Sequence, residues 1–107
     1  MATEEFTPTV EMASAARHGL RLREKFKRGG THVGVARAHQ LIERQPLEPR
    51  EVKAMYSFFA RHEVDKKTKT HVWGSDTDPS AGYIAWLLWG GDAGKAWAAR
   101  QRKTLAG

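Results

Sequence analysis

The sequence has 107 residues, of which 40% are hydrophobic and 28% charged, and this balance excludes collagen-like, low-complexity and wholly disordered chains. There is no cysteine, which excludes disulfide frameworks, thiolate metal sites and a cysteine nucleophile. The formal net charge of +6 favours a polyanion as partner, nucleic acid first and an acidic protein or membrane surface second.

The length suits one domain, and we expect a flexible tail over residues 1–6 followed by a single helical domain over residues 7–105. A first amphipathic helix is predicted from about residue 8 to residue 28, with Thr7 as a possible N-cap and Pro8 in the first turn. Gly29 and Gly30 then end the helix, because glycine adopts the left-handed conformation easily.

Two further helices are predicted over residues 31–62. Thr31 can cap a second helix that runs to about Arg44, and Pro49 starts a third helix with Glu48 at the cap position. Their lengths and short linker resemble a helix–turn–helix. If the third helix reads DNA, Ser57 and the basic residues of its outer face are the side chains that could reach it.

Residues 63–78 read as a polar loop, in which 70–73 could form a short strand with nothing to pair with. Asp78 and Pro79 then open a fourth helix, over about 79–89, that is apolar nearly all round and therefore central. Asp92 is predicted to cap a fifth helix. The prediction is an all-α domain of four to five short helices, in which four large residues are buried together: Phe59, Trp86, Leu87 and Trp97.

The basic residues lie opposite the apolar stripes or in the polar loop, so we expect them to face solvent and to be able to bind phosphates. A merely solvated basic surface is the alternative. The candidate nucleic-acid-binding residues are Arg17, Arg21, Arg28, Arg37, Arg44, Arg50, Lys53, Arg61, Lys66 and Lys67.

Tryptophan is frequent for this length, with four residues. Trp86 and Trp97 are predicted to fill the core. Trp73 and Trp89 are left open as possible protein-docking residues on an exposed aromatic surface.

The sequence carries no recognisable catalytic or metal-binding motif. His62, Glu63 and His71 would have to converge in a pocket to act, and their spacing matches no standard ligand pattern. The glycine-rich stretch 28–34 lacks the strand and the GK[ST] of a phosphate-binding loop. We therefore predict no catalytic residue, no metal and no cofactor.

Three stretches carry a family resemblance: Gly29–Thr31 with Val33–Ala38, then Ser57–Lys66, then Pro79–Gly94 with Trp97 and Ala98. Together they resemble a small helical module of tailed-bacteriophage and prophage proteins, found alone or appended to head or maturation proteins. The module has no settled activity, so the resemblance implies a viral setting, in the host cytoplasm or the virion. Glu48 replaces the Ser or Thr cap usual in the family, and the loop 66–78 is shorter and more basic.

Charge and resemblance together predict a non-enzymatic phage-type module that binds nucleic acid, DNA ahead of RNA, through basic helix faces. The alternative is a virion structural or host-directed module that docks on a phage or host protein through exposed aromatic residues. No membrane association is expected. The acidic N-terminal stretch lacks the apolar segment of a secretory signal, so we do not expect secretion.

Overall fold

The structure is a computed structural model that describes residues 6–67 and 71–106. Within these residues the chain forms α-helices and one short 3₁₀ helix, Glu63–Lys67, which directly follows the third α-helix. The all-α prediction is confirmed. The α-helices are α1, Val10–Phe26; α2, His32–Ile42; α3, Pro49–His62; α4, Ala81–Leu88; and α5, Gly91–Ala106.

Two of the predicted helix starts are confirmed. The Thr31 hydroxyl accepts the Gly34 N–H and caps α2. α3 begins at Pro49, and the Glu51 carboxylate accepts the N–H of Glu48 at 2.7 Å. A carboxylate in the first turn satisfies a backbone donor that the helix leaves unpaired.

Three other starts need correction. α1 is capped by Thr9 instead of Thr7. α4 begins at Ala81 and is capped by Ser80, while the Asp78 carboxylate is bound by His71 and lies near Arg28. α5 begins at Gly91, one residue before the predicted cap at Asp92.

The predicted loose tail is corrected at its last residue. Phe6 is 4% exposed, and its carbonyl accepts the N–H of Leu47 at 2.9 Å. This bridge holds the chain that precedes α1 against the α2–α3 linker. Residues 1–5 of the predicted tail lie outside the described residues, as does part of the strand considered over 70–73.

α4 is the central helix, as predicted. It packs against α1, α2, α3 and α5, and four of its side chains are buried: Ile84, Trp86, Leu87 and Leu88. α1 approaches α4 closely because Gly19 of α1 faces α4: a Cβ on Gly19 would lie 2.9 Å from Leu87 Cβ.

The four residues predicted to be buried together are all buried, and three of them share the main core. Phe59 and Trp86 meet edge to face at 4.8 Å between ring centroids, and Trp97 lies in the same cluster. Leu87 belongs to a smaller cluster with Leu22 and Ile84, where α1 meets α4.

The two helices of the predicted pair find their main packing partners elsewhere. α2 packs on α1 and α4, whereas α3 packs mainly on α5. Between α2 and α3 the connection is polar: Arg37 Nη1 and Gln40 Nε2 of α2 donate to the Glu51 carboxylate at 2.9 and 2.8 Å. No helix in the described part of the chain is long and apolar enough to cross a membrane.

Candidate nucleic-acid interface and the adjoining groove

The exposed face of α3 carries three of the predicted phosphate-binding residues, Arg50, Lys53 and Arg61. Ser57 is exposed between them. The eleven-residue separation of the outer two places their backbones about 16 Å apart along the helix. Arg50 lies 3.4 Å from Glu48, a pair in which both side chains are largely exposed. The structure therefore presents a row of cations along one helix, and we call it the α3 basic face.

On α1, Arg17 and Arg21 are exposed as predicted. Arg28, just beyond the helix, is half-buried. Its guanidinium donates to the Pro79 carbonyl at 2.9 Å and lies 3.5 Å from Asp78. This side chain ties the end of α1 to the segment that leads into α4, so part of its binding capacity is used within the protein.

The prediction that Arg37 faces solvent is wrong. The residue is 9% exposed and bonds Glu51 and Gln40. Its guanidinium lies 5.3 Å from the centre of the Trp89 ring. Its Nε is buried without a hydrogen-bond partner, and the aromatic face supplies part of the lost solvation.

The remaining three predicted phosphate contacts differ in exposure. Lys67 is exposed. Arg44 is also exposed, yet its Nε donates to the Pro8 carbonyl at 2.8 Å. Lys66 is half-buried: its Nζ donates to Glu63 at 3.2 Å and lies 4.6 Å from the centre of the Trp86 ring, so its ammonium is already engaged within the protein.

Of the two possible docking tryptophans, Trp89 is buried and Trp73 is half-buried. Trp89 is 8% exposed, so it does not have the exposed ring that the docking alternative requires. Trp73 is half-buried and packs edge to face on Trp86 and Tyr83, at 5.2 and 5.3 Å. Neither residue gives the chain a wide exposed aromatic surface.

A groove of about 700 Å³ lies between α3 and the N-terminal ends of α2 and α4. We call it the α2–α3–α4 groove. One wall is α3, with Ser57, Phe58, Arg61 and His62, and Trp89, Asp65 and Val33 also line the groove. The opposite wall consists mainly of small residues: Gly30, Thr31, Ala81, Gly82 and Ala85.

An aromatic stack runs into this groove from the core. Phe58 stacks on Trp89 at 4.5 Å between centroids with 9° between the planes, and on His62 at 4.4 Å with 29°. The His62 and Trp89 rings must lie on opposite faces of the Phe58 ring, because two rings this close to the same face would overlap each other. His62 therefore forms the outer end of the stack, with its Nδ1 bonded to Asp65 at 2.9 Å.

A second cavity, of about 470 Å³, adjoins the groove at the end of α1. We call it the basic cavity. Three cationic side chains and one carboxylate line it: Arg23, Lys27, Arg28 and Glu24. Arg23 Nε donates to the Gly29 carbonyl at 2.9 Å, and Lys27 Nζ to Glu24 at 3.2 Å. Gly30 lines both cavities, so the two are neighbours that meet at this residue.

The residues considered for chemistry have separate partners. Glu63 binds Lys66 and Lys95, His71 binds Asp78 at 2.8 Å, and only His62 reaches the groove. The lysine partners outweigh the effect of burial and hold the pKa of Glu63 below its usual range. Among the described residues no three histidine or carboxylate side chains are grouped to hold a metal ion.

The sequence analysis missed both the groove and the stack. One signal was present, because Phe58 and His62 are four residues apart on one helix and such pairs meet. Nothing local connects them to Trp89, which comes from the end of α4. Comparison with known proteins adds no relative: no family model, no curated protein and no solved structure matches the chain.

Proposed function

We propose that the protein is a non-enzymatic nucleic-acid-binding module that contacts backbone phosphates through the α3 basic face. The observation that carries the proposal is the exposure of Arg50, Lys53 and Arg61 along one side of a single helix. Duplex DNA presents one negative charge per about 1.7 Å of its axis, so a row of cations about 16 Å long meets several phosphates at once.

The distribution of aromatic side chains supports nucleic acid over protein docking. Trp86, Trp89 and Trp97 are buried, and the exposed large hydrophobic residues come from separate elements. Scattered exposed residues of this kind are normal on a protein surface, whereas a docking site is a contiguous patch. These residues are Val10, Val33, Tyr56, Val64 and Val72. The resemblance to a bacteriophage module extends the proposal to a viral setting, with DNA as the first choice.

Phosphate contacts make binding dependent on salt. We expect the affinity for a fluorescently labelled duplex, measured by anisotropy, to fall at least tenfold between 50 and 200 mM NaCl. Changing Arg50, Lys53 and Arg61 together to Gln should weaken binding and reduce the slope of log K against log salt by about 2.7, or about 0.9 per lost contact. Thermal unfolding should barely change, because exposed charges contribute little to stability.

The matched control changes Lys25, Arg100 and Lys103 to Gln, which removes the same charge from exposed positions on α1 and α5. This variant should keep most of the affinity and slope. Two results contradict the proposal: a wild-type protein that binds no DNA or RNA at low salt, or an α3 variant that binds no more weakly than the control.

A further inference from the structure

We infer that the α2–α3–α4 groove and the basic cavity together form a site for one unpaired nucleotide of a single-stranded nucleic acid. The base would lie in the groove against His62, and the adjoining phosphate in the basic cavity. This inference rests on the proposed function and adds the strand type and the contact that selects it. Apart from Arg61, which also lines the groove, its observations are independent of the α3 basic face.

The groove offers a flat aromatic surface, the His62 ring, on its α3 wall. His62 is the outermost ring of the stack that Trp89 and Phe58 begin, and its side chain is 39% exposed. Both faces of Phe58 are occupied, so His62 is the ring of the stack that is open to a ligand. Base stacking on aromatic side chains is the usual way in which single strands are held, because every base has a π-face.

The opposite wall leaves room for a planar ring. Gly30, Ala81 and Ala85 bring little side-chain volume to the groove, and 700 Å³ is within the range of ligand sites. Polar groups at the edge, the Ser57 hydroxyl and the Arg61 guanidinium, are of the kind that bind base edges. The one carboxylate in the lining, Asp65, is already bonded to His62.

The charge of the adjoining cavity identifies the second part of the ligand. Arg23, Lys27 and Arg28 face the space that begins at Gly30, and the carboxylate there, Glu24, is paired with Lys27. A ligand that reaches from the groove into the basic cavity has to be planar at one end and anionic at the other, as a nucleotide is. Because a base in a duplex is already stacked and paired, the site selects single strands.

The test uses the full chain and a single-stranded oligonucleotide that carries 2-aminopurine, a base whose fluorescence falls when it stacks. We expect wild-type protein to quench it and to bind this strand more tightly than the matching duplex. His62→Ala should abolish the quenching and lower single-strand affinity about 5- to 150-fold, with duplex affinity unchanged. His62→Phe keeps a ring without its nitrogens and should restore both.

The phosphate part is tested by Lys27→Gln against Lys25→Gln, two exposed lysines near the end of α1, of which only Lys27 lines the cavity. Lys27→Gln should reduce the salt slope for the single strand by about 0.7, and Lys25→Gln by less. Circular dichroism and thermal unfolding of each variant establish that it is folded.

The outcomes separate this inference from the proposed function. The nucleotide site alone is overturned if the α3 triple variant loses binding while wild-type protein does not quench 2-aminopurine and His62→Ala has no effect. Equal losses for duplex and single strand in His62→Ala also overturn it. A dimer seen by sedimentation that His62→Ala disrupts would place a second copy of the chain in the groove and overturn it as well. Absence of binding to any nucleic acid overturns both.

Discussion

At the scale of single residues, burial changes the role of a charge. Arg37 occupies a position that the helical pattern assigns to the surface, yet the fold encloses it between Glu51 and the Trp89 ring. Removing one partner of such a pair is costly, because the other charge stays buried without compensation. Arg37 therefore joins α2 to α3 and to the base of the aromatic stack, and we no longer count it among the phosphate contacts.

The pair gives a prediction about acid stability. Burial raises the pKa of Glu51. Hydrogen bonds from the Glu48 N–H, Gln40 and Arg37, together with the charge of Arg37, lower it by more, so the pKa lies below the usual 4.5. A carboxylate whose pKa is lowered by folding stabilises the protein above about 4.5, and this contribution is lost as the pH falls through the folded value.

We expect Glu51→Gln to lower the free energy of unfolding at pH 7 by about 1–3 kcal/mol, because Arg37 loses its partner. The difference from wild type should shrink as the pH falls below about 4.5. Urea unfolding at pH 7, 5, 4 and 3 measures it. Glu43→Gln, a change at the exposed residue that follows α2, gives the effect of losing one surface carboxylate. A difference that stays constant with pH would contradict the assignment.

At the scale of elements, the turn between α1 and α2 sets where the two cavities meet. Gly29 and Gly30 have φ of +89° and +80°, a region that residues with a Cβ rarely adopt. A Cβ on Gly29 would also lie 2.7 Å from Ile84 Cβ and 2.9 Å from the Ala81 carbonyl oxygen. Two features therefore require glycine in this turn: its backbone conformation and its close contact with α4.

A comparison of two glycines separates these effects. Gly74 has a similar φ of +84°, but a Cβ there would have nothing within 4 Å. We expect Gly74→Ala to destabilise the protein by about 1 kcal/mol from backbone strain alone. Gly29→Ala should add about 1–3 kcal/mol from overpacking. Chemical denaturation measures both variants, and equal losses would show that the contact with α4 is not tight.

At the scale of the whole molecule, α4 contacts each of the other α-helices, and Trp86 is its most connected aromatic side chain. Trp86 is 1% exposed, and its Nε1 donates to Asp92 at 2.9 Å. Its ring meets Phe59 of α3 and Trp73 of the preceding segment. A single side chain thus joins α4 to three other parts of the chain.

We expect Trp86→Ala to lower the free energy of unfolding by about 3–5 kcal/mol, because it leaves a large cavity. That is a large share of the about 5–15 kcal/mol typical of a domain. Trp73→Ala, in which a half-buried ring is removed, should lower it by about 1–2 kcal/mol. Urea unfolding followed by far-ultraviolet circular dichroism compares them. Equal losses would contradict the central position of Trp86.

The sequence by itself determined the helices and which side of each is apolar. The 3.6-residue periodicity, Gly29 and Gly30 after α1, Thr31 before α2 and Pro49 at the start of α3 all act within one or two turns. The burial of Trp86 and Trp97 follows from the same local patterns, since large apolar side chains on several faces must find a core.

Only the tertiary structure decided which surface residues meet. Arg37 is buried because the end of α4 places Trp89 over it, and Asp78 contacts His71 and Arg28 while Ser80 caps α4. The stack that ends at His62 joins Phe58 to Trp89, 31 positions further along the chain, and the groove exists because two helix ends approach α3. Contacts between distant segments depend on how the helices pack, and helical periodicity carries no information about the neighbour that each face meets.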